Sequence, residues 1–350
     1  MKPATPFLLP AHLKLVGEID EFKGRWSAVA TLSPEQLGEL KRVAVIESVG
    51  SSTRIEGAKL SNVEVQALLS GLRLGKLKSR DEQEVAGYAA AADRIFRDHA
   101  NLPLTEDLIQ DLHRELLQFS HKDRSHAGRY KTQPNHIEAF DADGKSLGVV
   151  FETVAPTDTP AAMADLVQQF RADRAAGTSH PLLAIALFTL QFLYIHPFLD
   201  GNGRLSRLLT TLLLLQAGYA YVPYCALEKI VEDNKDRYYL ALRQAQETLA
   251  TDNTSLHLWF TFFLSILGQQ VALLQAQIAR DHLLRDLPPL SRDLLTLARS
   301  RGRLTVAEGV RGTAANRNTA KVHIAHLTAQ GLLRQHGVGK GTWYEPAPPL

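Results

Sequence analysis

Residues 196–207 read His196-Pro197-Phe198-Leu199-Asp200-Gly201-Asn202-Gly203-Arg204-Leu205-Ser206-Arg207, and the chain on either side takes its form from them. Upstream, 181–195 is an apolar run of helical length. Pro197 disfavours helical geometry in the residue before it, so that helix ends at His196. Downstream, 204–217 is leucine-rich and followed by Gly218, the pattern of a helix with a glycine stop. The expected unit is helix, tight loop, helix, with His196 at the lip.

The loop carries its own chemistry. Gly201 and Gly203 allow a sharp turn and leave amide N–H groups open. At a helix N-terminus such amides form a site for phosphate. Arg204 and Arg207 are three residues apart on one helix face, within reach of the same polyphosphate. Asp200 is a hard oxygen ligand suited to Mg²⁺. His196, with an ordinary pKa of about 6.5, suits proton abstraction from a hydroxyl. Each residue alone has a plainer explanation: Asp200 as a helix cap, Gly-Asn-Gly as a turn, the arginines as a solvated face. No structural need requires the whole set within twelve residues, and together they indicate nucleotidyl or phosphoryl transfer.

At every fixed position, His196-Pro197-Phe198-x-Asp200-Gly201-Asn202-Gly203-Arg204-x-x-Arg207 resembles the signature of the Fic family. The resemblance implies a protein adenylyltransferase that moves AMP from ATP to a Tyr, Ser or Thr hydroxyl of a target protein. It implies His196 as general base, Asp200 as Mg²⁺ ligand, Gly201, Asn202 and Gly203 as holders of the α-phosphate, and Arg204 and Arg207 on the β- and γ-phosphates. The Doc branch, which transfers phosphate, carries Lys and no comparable second Arg here. The arginine form therefore favours AMP transfer.

A second segment, Ser52-Thr53-Arg54-Ile55-Glu56-Gly57, resembles the inhibitory motif of autoinhibited Fic proteins. Ser33-Pro34-Glu35 is a helix start. The helix runs through Leu37, Leu40, Val43 and Ile46, and Gly57 stops it. Glu56 then lies at a helix C-terminus, where the dipole disfavours a carboxylate, and calls for a cationic partner. The resemblance supplies Arg207, which would block the γ-phosphate subsite. It also admits a bifunctional enzyme in which Glu56 orients a water for AMP removal.

The rest of the chain is predominantly helical, so the expected class is all-α with a small hairpin. Ser61-Asn62-Val63-Glu64 is a capping box, and helices are expected over 81–99 and 105–119. Runs 137–140 and 147–151 flank Asp143-Gly144, a hairpin signal. In the family this hairpin is the flap, which takes a target segment as an added strand, so target proteins are expected near 135–153. Gly128-Arg129-Tyr130 also resembles the family pattern. Tyr238 and Tyr239 open an amphipathic helix, and the resemblance places them at the adenine. Gln246 stands where many Fic proteins have Asn, which puts base selectivity in question.

Composition bounds the remainder. The chain has 350 residues, 45% hydrophobic and 22% charged, with one cysteine, Cys225, as in globular proteins of a reducing compartment. The N-terminus lacks a basic segment followed by an apolar core. The apolar run 182–195 is short for a bilayer and carries Thr189 and Gln191, so a cytoplasmic protein with no membrane partner is expected. Apolar faces on the N-terminal helices suit a core or a homodimer. The expected organisation is a helical region with the inhibitory helix at 1–84, a Fic core at 85–268, a helical linker at 269–287 and a winged-helix-like domain at 288–350. In the last, helices at 291–301, 305–310 and 316–330 precede strands at 332–335 and 341–344. Residues 291–350 hold nine Lys and Arg against three Asp and Glu, a charge of +6, while the whole chain is +2. Asn316, Arg317 and Lys321 on the third helix are candidates for DNA contact. A DNA-binding regulator with a nucleotide-sensing Fic core is the alternative to the enzyme.

Overall fold

The computed structural model describes residues 9–29, 34–71, 77–140, 146–250 and 256–347. The chain forms two compact units, 1–271 and 272–350. It is mainly helical, as expected. The elements in order are α1 (Pro10–Val29), α2 (Pro34–Ile55), α3 (Asn62–Gly71), α4 (Arg80–Asp98), α5 (Glu106–Leu116), β1 (His136–Phe140), β2 (Ser146–Glu152), α6 (Thr159–Ala176), α7 (Pro181–Ile195), α8 (Asn202–Gln216), α9 (Leu227–Asp233), α10 (Lys235–Ala250) and α11 (His257–Arg285), within which the division falls. The second unit continues with α12 (Pro289–Arg301), α13 (Val306–Thr313), α14 (Arg317–Ala329), β3 (Leu333–His336) and β4 (Trp343–Pro346).

The first unit is built around α7 and α8. Twelve of the fifteen residues of α7 and thirteen of the fifteen of α8 are buried, so both are apolar nearly all round, as central helices are. They run antiparallel, and the Thr189 and Thr210 hydroxyls meet across the pair at 2.9 Å. That bond satisfies two polar groups that would otherwise be costly to bury. Leu208, Leu209, Leu212 and Leu213 on α8 and Ile185, Phe188 and Phe192 on α7 supply the centre of the core. α11 is long and apolar enough to cross a bilayer, but 56% of that stretch is buried inside the protein. Its Trp259 donates from Nε1 to the Ala186 carbonyl of α7 at 2.7 Å.

Several boundaries differ from expectation. α8 begins at Asn202, two residues early, because Gly201 in a left-handed conformation (φ +81°) serves as its N-cap. Asn202 and Gly203 are therefore the first turn of a helix, not loop. α5 stops at Leu116, before Phe119. α4 is capped by Ser79 in a complete capping box with Glu82, and the Ser61/Glu64 box opens α3. β1 and β2 pair antiparallel, His136 opposite Glu152. The expected helix cap Ser33 and the turn at Asp143-Gly144 lie outside the described residues.

The second unit has three helices and an antiparallel ribbon in the expected order. Leu294, Leu295 and Ala298 of α12, Ile324 and Leu327 of α14, and Leu332 and Leu333 form its own core. Leu304 exchanges two backbone hydrogen bonds of 2.7 Å with Tyr344. Asn316 departs from its expected part: its Oδ1 accepts the Asn318 N–H at 2.9 Å, so it caps α14.

Helix α4 approaches the end of α5 so closely that a Cβ on Gly87 would lie 1.9 Å from the Leu116 carbonyl oxygen. Gly17 in α1 has nothing within 4 Å of the same position. Gly87→Ala should cost at least about 1–3 kcal/mol through overpacking. Gly17→Ala should gain about 0.5–1 kcal/mol from helix propensity. Urea unfolding of the two variants against the parent checks both signs.

Candidate active site

His196 caps α7 in a left-handed conformation (φ 51°, ψ 60°), unusual for a residue with a Cβ and typical of functional positions. Its Nδ1 faces the Leu193 carbonyl at 3.4 Å, which favours the proton there and leaves Nε2 without a hydrogen-bond partner among the described residues. Burial pushes its pKa down to about 4, so the ring is neutral and able to accept a proton at pH 7. The loop behind it is braced from within. Asn202 accepts the Phe198 N–H at 3.0 Å and donates to the Phe198 carbonyl at 2.7 Å. Its amide is thereby committed to the loop, in contrast to the expected part on the α-phosphate; what faces outward here is helix N-terminal backbone.

Asp200 accepts the Gly201 N–H on Oδ1 at 2.7 Å, and on Oδ2 it meets Arg204 at 3.1 Å and Arg80 at 3.2 Å. Burial opposes its charge, but Arg204, the Gly201 N–H and Arg80 outweigh it and hold its pKa below the usual carboxylate range. Arg204, almost wholly buried, also pairs with Glu84 at 3.2 Å. Among the described residues no three His, Cys, Asp or Glu side chains gather as a metal site. A single ionised Asp fits Mg²⁺, which keeps waters and relies on substrate phosphates for its remaining ligands.

The end of α2 completes the site. Gly57, at φ +104°, turns the chain out of the helix and leaves Glu56 directed at α8. Arg207 Nη2 donates to Glu56 Oε1 at 2.8 Å and to the Ser52 carbonyl at 2.9 Å, and Nε donates to Ser52 Oγ at 2.8 Å. A Cβ on Gly203 would sit 2.2 Å from Glu56 Oε1. The carboxylate therefore rests against the first turn of α8, at the end of a helix that favours an anion. Burial alone would weaken the Arg207 cation, but Glu56 more than compensates and its pKa is raised. Behind Ser52 the network continues: its hydroxyl meets the buried Tyr88 phenol, which donates to Glu228 at 3.0 Å. The backbone of this turn is fastened by Lys235, which donates to the Ile55 carbonyl at 2.7 Å, and by Arg54, paired with Glu232 at 2.7 Å.

The expected adenine residues differ in exposure, although the Tyr238 and Tyr239 rings lie 5.1 Å apart. Tyr238 is buried between Trp259 and Phe262, close to Arg207; burial raises its pKa to about 12. It is a core residue. Tyr239 is 41% exposed, with Lys235 Nζ 5.9 Å from its ring centre. Gln246 is buried, and its Nε2 has no hydrogen-bond partner among the described residues.

Three residues here were invisible to sequence reading. His113 stacks on Phe198 at 3.8 Å, donates from Nε2 to the Asp200 carbonyl at 2.9 Å and accepts the Gly128 N–H on Nδ1 at 2.8 Å. Lys131 donates from Nζ to Asn135, Thr153 and the Ile195 carbonyl, and burial pushes its pKa down to about 8. Asn135 in turn donates to the carbonyls of His196, at 3.3 Å, and Phe198, at 2.7 Å. The two ends of the hairpin are thus bonded to the loop that carries His196. The buried face of α5 was the one available signal for His113; nothing local marked the other two.

A brace of this kind, joining two helices, a loop and a hairpin around one histidine, defines a fold with close known counterparts. Residues 103–214 match the model of the Fic/DOC family. The chain therefore carries a domain of that family. It is 28% identical over 287 residues to the protein adenylyltransferase Fic of Drosophila virilis, covering 77% of this chain and 54% of that protein. It thus spans about half the length of the curated relatives it matches. A Fic family protein from Desulfovibrio desulfuricans G20 shares the fold at TM-score 0.62 and 24% identity, over 100% of this chain and 99% of its own. A Fic-domain signalling protein from Bacteroides thetaiotaomicron gives TM-score 0.61 and 25% identity over 75% of this chain and 97% of its own.

His113 uses one ring nitrogen as acceptor, so protonation would break the Gly128 bond, and burial is the larger cause that pushes its pKa down to about 4. Its unfolded value is about 6.5. With the folded pKa the lower one, stability is full above pH 6.5 and is lost as pH falls towards 4. The loss from this group is about 3 kcal/mol. Urea unfolding at pH 7 and pH 4.5 should show the drop, and His113→Gln should reduce it by about that amount, leaving the share of His196, whose pKa burial also lowers to about 4.

Proposed function

We propose that the protein is a protein adenylyltransferase that uses ATP and Mg²⁺ and is restrained by Glu56. The observation that carries this reading is a neutral His196, its Nε2 free, beside a helix N-terminus flanked by Arg204 and Arg207. A hydroxyl of a target protein attacks the α-phosphorus of ATP as His196 Nε2 takes its proton. A new P–O bond forms, the bond to the β-phosphate oxygen breaks, and pyrophosphate leaves. The first-turn amides of α8, with Arg204 and Arg207, stabilise the growing negative charge. Asp200 would hold Mg²⁺, which neutralises phosphate charge when bound.

Target binding is assigned to the hairpin of β1 and β2. Among the described residues these two strands form a sheet of their own, so an extended segment has an edge on which to add main-chain hydrogen bonds. The bonds from Lys131 and Asn135 tie that sheet to the His196 loop and would register a bound hydroxyl against the ring. Glu56 supplies the restraint. Its carboxylate holds Arg207 and covers the α8 N-terminus, both of which a triphosphate needs.

Glu56→Gly should raise incorporation of α-phosphate-labelled ATP by about 10–100-fold, the worth of a charge-assisted bond of about 1.5–3 kcal/mol. Adding His196→Ala should then cut the rate by about 10²–10⁴. Equal labelling with and without Glu56 would rule out the restraint, and equal labelling with and without His196 would rule out the base.

A further inference from the structure

The second unit carries a surface that the transfer reaction does not use. The exposed face of α14 includes Arg317, Asn318, Lys321, Val322, Ala325 and His326, and the helix carries no acid. Neither Arg317 nor Lys321 has an ion-pair partner among the described residues. The acids of residues 291–350 are engaged elsewhere or lie on another helix: Glu308 closes the capping box of α13 with Thr305, Glu345 pairs with His336, and Asp293 is on α12. The two cations of this face, Arg317 and Lys321, are therefore unopposed by any acid of α14.

The backbone gives that charge a shape. α13 and α14 are joined through Ala314 in a left-handed conformation (φ 56°) and Asn316 as N-cap. This is a helix-turn-helix corner that leaves the first turn of α14 open. α13 packs tightly on α12, since a Cβ on Gly309 would lie 2.7 Å from Leu294. Beyond α14, the β3–β4 ribbon is stiffened by the His336 ring stacked on Trp343 at 4.2 Å. Its tip holds Val338, 89% exposed, between two positive-φ glycines, Gly337 and Gly339.

We propose that this face binds duplex DNA, with α14 in the major groove and the ribbon tip beside the adjoining backbone. A groove about 12 Å wide admits one helix. Arg317 and Lys321 meet phosphates or guanine edges. Asn318 can pair with adenine, and Val322 and Ala325 can contact thymine methyl groups. A protein partner fits less well. Val322 and Val338 are the only large exposed apolar side chains described between residues 289 and 347, too little apolar surface for a patch of about 800 Å² per partner.

The test is fluorescence anisotropy of the full chain with a labelled mixed-sequence 30-base-pair duplex at 50 and 200 mM salt. Binding should be micromolar or tighter at the lower salt and weaken steeply at the higher. Arg317→Ala/Lys321→Ala should weaken binding about tenfold or more and lower the log–log salt slope by about 2. Arg299→Ala/Arg301→Ala, which removes the same charge from α12, should change affinity less than about twofold. Three results would overturn the proposal: no binding at 50 mM salt, equal losses in both double variants, or displacement by polyglutamate as effective as by unlabelled duplex. The last would assign the face to an acidic protein.

Discussion

A buried arginine cannot be left without an anion, and Arg207 is the point from which the first unit is organised. Its guanidinium is 8% exposed, and stripping water from such a charge costs several kcal/mol unless it is paired and hydrogen-bonded. Two of its nitrogens are satisfied by Ser52 and Glu56. Only α2 can deliver both, since the two residues lie one helical turn apart on one face. The packing of α2 against the centre of the unit is thus dictated as much by one cation as by apolar burial.

The same logic governs the loop. A six-residue connection between two helices buried nearly all round must turn sharply and still satisfy its backbone. Asn202 does this from inside α8, His113 from α5, and Lys131 and Asn135 from the foot of the hairpin. Each spends its polar atoms on main-chain carbonyls or amides of residues 195–200 and on the groups beside them. The positive φ of His196 persists because so many bonds over-determine it. Precision at the reacting nitrogen is therefore a property of the braces, and none of them touches the histidine side chain.

How much was legible in the sequence follows from the range of each interaction. Local rules worked where the physics is local: Pro197 ending α7, Gly57 ending α2, the Ser61/Glu64 box. They erred where a neighbour in space decided. Gly201 takes the cap because His113 and Leu116 fill the room beside it, so α8 starts early and Asn202 turns inward. Tyr238 has the spacing of a pocket residue but lies against Trp259 and Phe262, which only the tertiary fold brings to it. The Glu56–Arg207 pair was legible because the family resemblance supplied a partner 151 positions away. Ser52 came with the same motif, whereas Tyr88 and Glu228 had no such guide.

The Ser52–Tyr88–Glu228 chain bears on how Arg207 would stand if the Glu56 carboxylate turned away. The α2 backbone is held by Lys235 at Ile55 and by Arg54 at Glu232, while Glu56 itself is 33% exposed. A rotation of one side chain is far cheaper than moving a helix so fastened. When the Glu56 carboxylate swings away, Arg207 keeps both bonds to Ser52. The Ser52 hydroxyl is backed by Tyr88 and, through it, by the buried Glu228 carboxylate. Hydrogen bonds in such a low-dielectric chain polarise one another, so part of the lost negative charge is replaced from behind. The arginine is then left in place, held by Ser52, with Nη1 3.4 Å from the position a Cβ on Gly203 would take.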